Sequence, residues 1–268
     1  MPEIAFVNGR FMPLAEAVVS VEDRGFQFAD GVYEVLASYG GRPFAREPHF
    51  RRLEHSLKAL RIDLDIRAYG LEALVREAVS RSGFAETMVY IQITRGTAPR
   101  HHEFPTVEVQ PTVVMTVKEL RRPSTGHYER GVKVVAVPDR RWKCCDIKST
   151  SLLANILAKQ QAAEEGAFEA LLVDEEGRVT EGSSTSAFCV RQGALWTAPA
   201  GPHILPSITR GILLDLAHRL KLPVREEFST LEQYLQAEEV FLAGTTASAR
   251  GMNLPLTKAI SGISLLYS

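Results

Sequence analysis

The chain has 268 residues, 31 Lys+Arg against 32 Asp+Glu for a formal net charge of -1, and 45% hydrophobic residues. That balance excludes a disordered chain and leaves no basic footprint for nucleic acid or an anionic membrane. No run approaches the ~18 apolar residues of a spanning helix, and the opening MPEIAFVNGRFMPLAEA lacks a signal pattern. Cys144, Cys145 and Cys189 offer neither a disulfide framework nor metal-ligand spacing, so the expectation is a cytoplasmic protein that binds small molecules and no metal.

The first predicted element is a hairpin, because 4–7 and 10–12 flank Asn8-Gly9, a pair suited to a type I′ turn. Strands at 32–39 and 42–44 turn at Gly40-Gly41, and 88–94 and 112–118 are further β-rich runs. Phe50, Leu53, Leu57 and Leu60 at helical spacing predict a helix over 48–60, and a second follows at 71–80 with Gly83 just beyond. Residues 1–120 therefore read as a small α+β domain. The segment RRPSTGHYERG, 121–131, is polar, with Pro and Gly and no hydrophobic period, as an interdomain linker should be. Beyond it come a strand at 132–137, a helix at 151–165 closed by Gly166, strands at 170–173 and 186–190, and a helix at 208–220. A short helix at 231–235 and a strand at 240–243 complete a larger α/β domain over 132–268.

Within that second domain Lys148, in WKCCDIKSTSLLANIL, precedes the Ser/Thr group expected to cap the next helix. An ammonium at a helix N-terminus meets the positive end of the macrodipole, and partial burial acts the same way, so a neutral, nucleophilic amine is favoured. By position alone, a solvated lysine edging a strand is the commoner fate of such a residue. TEGSSTS (180–186), PSITRG (206–211) and GTTAS (244–248) each join small hydroxyl residues to a break in secondary structure. Ser207 before a helix would leave the Ile208 and Thr209 amides as an anion cradle; ordinary capping is the alternative. Glu181 among small residues is suited to a ring nitrogen, or is a solvated turn residue. Arg100, His101 and His102 lie in a Gly/Pro-rich loop that suits carboxylate recognition.

Taken together, EDRGFQFADGVYEV (22–35), TRGTAPRHHEF (94–104), RRWKCCDIKS (140–149), TEGSS (180–184) and ITRG (208–211) resemble one family. They resemble the fold-type IV aminotransferases dependent on pyridoxal 5′-phosphate, and most closely the D-amino acid aminotransferases. The resemblance implies that Lys148 carries the cofactor as a Schiff base and shuttles the substrate proton, and that Glu181 pairs with the pyridine nitrogen. It implies phosphate contacts from Arg52, Ile208, Thr209 and Thr245, with Ser183 and Ser184 lining the same pocket. Gly244 stands where relatives often carry serine. Tyr33, Arg100 and His102 match the trap for the substrate α-carboxylate, with the Arg100–His102 loop reaching across a homodimer that shares its active sites. The implied reaction is ping-pong transfer from a D-amino acid such as D-alanine to a 2-oxo acid, 2-oxoglutarate or pyruvate.

A branched-chain aminotransferase or an aminodeoxychorismate lyase would keep Lys148 and Glu181 with a different substrate trap. After Thr246 the family continues with further strands and a closing helix, whereas ASARGMNLPLTKAISGISLLYS is short and matches poorly. Its tail shows no strand alternation and no helical composition, so an inactive cofactor-binding homologue is a further reading.

Overall fold

The structure, a computed structural model, describes residues 3–121 and 131–245 and the backbone of Ile263–Leu265. Nine residues of the expected linker, 122–130, and 246–248 of GTTAS lie outside the described residues. The chain divides into two compact units, and the division is not a single cut: unit 1 holds residues up to Arg121 together with Ile147–Ser151, and unit 2 holds the rest. That differs from the expected 1–120 and 132–268 domains, because five residues around Lys148 pack with the first unit.

Unit 1 is built on a six-stranded antiparallel sheet. Its strands are β1 (Ile4–Val7), β2 (Arg10–Pro13), β3 (Gly31–Tyr39), β4 (Arg42–Pro43), β5 (Glu86–Thr94) and β6 (Thr112–Glu119). The spatial order is β2-β1-β6-β5-β3-β4. The β1–β2 turn places Asn8 at φ 43° and Gly9 at φ 92°, the left-handed pair expected of Asn-Gly. Two longer helices, α2 (Arg46–Ala59) and α3 (Leu71–Ser82), follow the five-residue α1 (Arg24–Phe28). Alternation along β5 puts Val89, Ile91 and Ile93 inward, where they pack with Phe50, Leu53 and Leu57 of α2 and Val75 and Val79 of α3. Gly83 ends α3 in the left-handed conformation, as a glycine past the last turn should.

Unit 2 carries two mixed sheets. The first contains β7 (Val134–Pro138), β8 (Glu169–Val173), β9 (Arg178–Gly182), β13 (Ser229–Thr230) and β15 (Ile263–Leu265), in the order β13-β9-β8-β7-β15. β7 and β8 run parallel, joined through α4 (Leu153–Glu164). β15 pairs parallel with β7, so the tail read as lacking a strand pattern supplies one by backbone pairing. The second sheet has the order β12-β11-β10-β14, from β10 (Ser186–Arg191), β11 (Ala194–Thr197), β12 (Val224–Glu226) and β14 (Glu239–Ala243). α5 (Ile208–Arg219) and the short α6 (Leu231–Leu235) complete the unit. The β10–β11 hairpin escaped the sequence reading because its left-handed turn is Gln192-Gly193, and Gln is a weak turn signal at φ 52°. No helix of the described residues is long and apolar enough to cross a membrane.

Candidate functional site

Lys148 does not sit at a helix N-terminus. The helix begins only at Leu153, and its N-cap Leu152 makes no side-chain cap, so the expected macrodipole effect on Lys148 falls away. Instead the 147–151 segment is tied to β3 and α2. Tyr33 N–H donates to the Lys148 carbonyl at 3.0 Å, and Lys148 N–H donates to Ser56 Oγ at 3.1 Å. Thr150 N–H and Oγ1 both reach the Gly31 carbonyl, and Ser149 bridges to Val32. These bonds set the lysine side chain over the Tyr33 ring, Nζ 4.1 Å from the centroid.

Directly behind Tyr33 lies a buried charge cluster. β3 alternates, so Glu34 points inward with Val32 and Leu36 and is fully buried. Arg52 of α2 donates to it through Nε at 3.0 Å and Nη2 at 2.7 Å, and His49 Nδ1 lies 3.0 Å away. Burial works against the Glu34 charge, but Arg52, the His49 bond and, more weakly, Lys148 bring its pKa down to about 2. Arg52, expected at a phosphate, is thus oriented by a carboxylate that the sequence reading passed over. The signal was present: an acidic residue at the inward position between Val32 and Leu36.

Arg100 and His102 gather around a different residue of unit 1. The Arg100 guanidinium lies 4.7 Å from the Phe28 ring centroid, and the His102 ring centroid is 5.5 Å from that of Phe28. Both side chains are exposed.

In unit 2, Glu181 lies near the end of β9 as a buried carboxylate. Its Oε1 accepts from Arg141 Nη1 and from the Leu205 N–H at 3.1 Å. Arg141 also grips Asp139 through Nε at 2.9 Å and Nη2 at 2.7 Å. Burial pushes the Glu181 carboxyl up, opposed by the Arg141 guanidinium, while burial of Asp139 is outweighed by the same guanidinium, which holds it low. Arg141 thus bridges a carboxylate 40 residues away and one two residues away, a link that sequence spacing does not reveal.

The hydroxyl cluster beyond Glu181 has its own organiser. Ser183 Oγ donates to Glu169 Oε1, Ser184 Oγ to Oε2 at 2.6 Å, and Thr185 Oγ1 to Oε2 at 3.2 Å. Gly182 is required there, since a Cβ would stand 2.2 Å from Thr185 Oγ1. At α5, Ser207 caps the helix by accepting the Arg210 N–H at 3.2 Å. The Ile208 and Thr209 amides are the first two of the helix and have no intrahelical acceptor, as an anion cradle needs. Thr245 is half-buried two residues past β14, and a Cβ on Gly244 would meet nothing closer than 3.6 Å. Cys145 donates to the Trp142 carbonyl, and burial pushes its thiol up to about 11, which disfavours the reactive thiolate.

Each unit by itself carries groups of the kind pyridoxal 5′-phosphate needs: unit 1 a primary amine and a guanidinium, unit 2 a buried carboxylate and helix amides without intrahelical acceptors.

The family model described as amino-transferase class IV matches residues 31–253. The D-alanine aminotransferase of Staphylococcus aureus (strain MSSA476) is 40% identical over 245 residues, covering 91% of this chain and 86% of that protein. That of Bacillus licheniformis is 38% identical over 240 residues, 90% of this chain and 84% of the relative. Among solved structures, the branched-chain aminotransferase of Thermoproteus uzoniensis with norvaline superposes with a TM-score of 0.82 at 28% identity, covering 91% of this chain and 84% of that one. The T.th. branched-chain amino acid aminotransferase complexed with N-(5′-phosphopyridoxyl)-L-glutamate gives 0.83 at 27% identity, covering 92% and 83%.

Proposed function

The chain belongs to the class IV aminotransferases, and from that membership we propose that it moves the amino group of D-amino acids such as D-alanine onto a 2-oxo acid. The observation that carries this reading is the Lys148 amine held over Tyr33. Pyridoxal 5′-phosphate supplies, when bound, the electron sink that lets a substrate Cα proton leave. Lys148 would be its covalent anchor, and Nζ would hold and move the proton, taking it from Cα of the donor and giving one to Cα of the acceptor. Glu181, with Oε1 already held by Arg141 and Leu205 N–H, keeps the ring nitrogen protonated through a charge-assisted bond. Arg52, Ile208, Thr209 and Thr245 hold the phosphate, and Ser183 and Ser184, drawn toward Glu169, line the pocket. Tyr33, Arg100 and His102 bind the α-carboxylate. The reading includes a cytoplasmic homodimer whose Arg100–His102 loop serves the active site of the other subunit.

A second reading stays in view because both solved relatives above are named branched-chain aminotransferases. One spectroscopic titration separates the two. Protein loaded with pyridoxal 5′-phosphate shows the absorption band of the Lys148-bound cofactor, and D-alanine, not L-leucine, converts it to the amine form. Conversion by L-leucine alone favours the branched-chain reading. A band that neither amino acid changes identifies an inactive cofactor-binding homologue.

A further inference from the structure

We propose that Arg24 is a positioning residue for the substrate-carboxylate loop, fixing Arg100 and His102 through Asp30 and the backbone of 101–103; the inference rests on the carboxylate role given to that loop above. Arg24 is 3% exposed. A buried guanidinium is costly unless its donors are satisfied. Nε goes to Asp30 Oδ2 at 2.8 Å, Nη1 to the His101 carbonyl at 2.6 Å and the Glu103 carbonyl at 3.3 Å, and Nη2 to the His102 carbonyl at 3.4 Å. All three backbone acceptors lie in the irregular segment between β5 and β6, so this one side chain takes the place of a strand partner.

Asp30 is shared. Arg95 donates to it through Nε at 2.8 Å and Nη2 at 2.9 Å, and also reaches the Leu60 and Arg61 carbonyls at 2.8 Å each, just past the end of α2. The Arg95 guanidinium covers the Phe104 ring at 3.7 Å, closing the far side of the loop. The Phe28 ring lies 4.9 Å from the Arg24 guanidinium and 4.7 Å from that of Arg100. α1 sits flush on the start of the loop: Arg24 N–H donates to the Gly96 carbonyl at 2.9 Å, and a Cβ on Gly25 would stand 2.2 Å from Thr94 Cγ2. The network therefore runs from the end of the Arg52 helix to the loop that presents Arg100 and His102. Because those two side chains are exposed, fixing them adds little to the core and matters for what they bind.

The test uses holoenzyme, with D-alanine as substrate and propionate as a non-reacting carboxylate competitor. In Arg24→Lys, KM for D-alanine and Ki for propionate rise together, about tenfold or more, as expected when a binding group is displaced by an ångström. The cofactor band is unchanged and kcat falls less than kcat/KM. Combined with Arg100→Ala, Arg24→Lys costs less than it does alone, because part of its effect acts through Arg100. Unchanged constants, additive losses, or loss of the cofactor band in step with KM overturn the proposal. Should Arg24→Lys fail to fold, Phe28→Leu, which leaves the buried ion pairs intact, decides by the same parallel rise or its absence. Wild-type enzyme inactive on D-alanine overturns both this inference and the function it rests on, whereas active wild type with indifferent variants overturns this inference alone.

Discussion

The Lys148 amine lies 4.1 Å from the centroid of the Tyr33 ring, while Tyr33 N–H donates to the Lys148 carbonyl at 3.0 Å. The pair is joined twice, once by side chain and once by backbone, so the lysine is registered to β3. Because the backbone half survives truncation, Lys148→Ala should keep the fold. It should lose the bound-cofactor band and at least about 10²–10⁴-fold of turnover. Thermal unfolding, absorption and initial rates together check this; substantial residual transamination would identify another lysine as the anchor.

Arg100 is exposed and packs on Phe28, so its removal costs little stability. A charged hydrogen bond to a carboxylate is worth about 1.5–3 kcal/mol, which predicts roughly a 10- to 100-fold loss of kcat/KM on D-alanine in Arg100→Ala. A simple primary amine should be unaffected by the change. Equal losses on both substrates contradict the carboxylate role.

Glu34 predicts an acid limb in the stability profile. Against the opposing effect of burial, Arg52 and His49 lower its carboxyl from 4.5 to about 2. That contribution, on the order of 3 kcal/mol, is present above pH 4.5 and lost as pH falls toward 2. Glu34→Gln should be destabilised at pH 7, with the gap to wild type narrowing over that window. Urea midpoints measured at several pH values test it, and a constant gap contradicts it.

Arg141 is the cation for two carboxylates, the half-buried Asp139 and the buried Glu181. Arg141→Met leaves both uncompensated, at a cost of about 3–5 kcal/mol. Acidification should recover part of the loss, because protonated carboxyls no longer need the cation. Denaturant titrations at pH 5 and pH 8 read the difference.

Gly244 has no positive φ among the backbone outliers, and an added Cβ meets only ordinary contacts. Gly244→Ser should leave the melting temperature within experimental scatter, and hold pyridoxal 5′-phosphate as tightly as wild type or more so. Loss of stability would show that the glycine is structurally required.

The residues that were legible in the sequence are those whose signal is local. Asn8-Gly9, the inward alternation of β5 and the apolar stripe of α2 each declare themselves within a few positions, so their elements were placed to within two residues. The blocks around Lys148, Glu181 and Ile208 likewise carried the family and its cofactor. Two things were not local. The helix after Lys148 starts later than its Ser/Thr group suggested, because Ser149 and Thr150 are drawn to β3 instead. The partners of the buried charges come from afar: Glu34 from 18 residues before Arg52, Glu181 from 40 after Arg141, and the loop carbonyl that Arg24 holds from 77 after it. Amino-acid order sets which groups must be buried, through periodicity and chain propensity. Only the folded chain decides which opposite charge each one meets, because that choice depends on contacts between segments with no spacing in common.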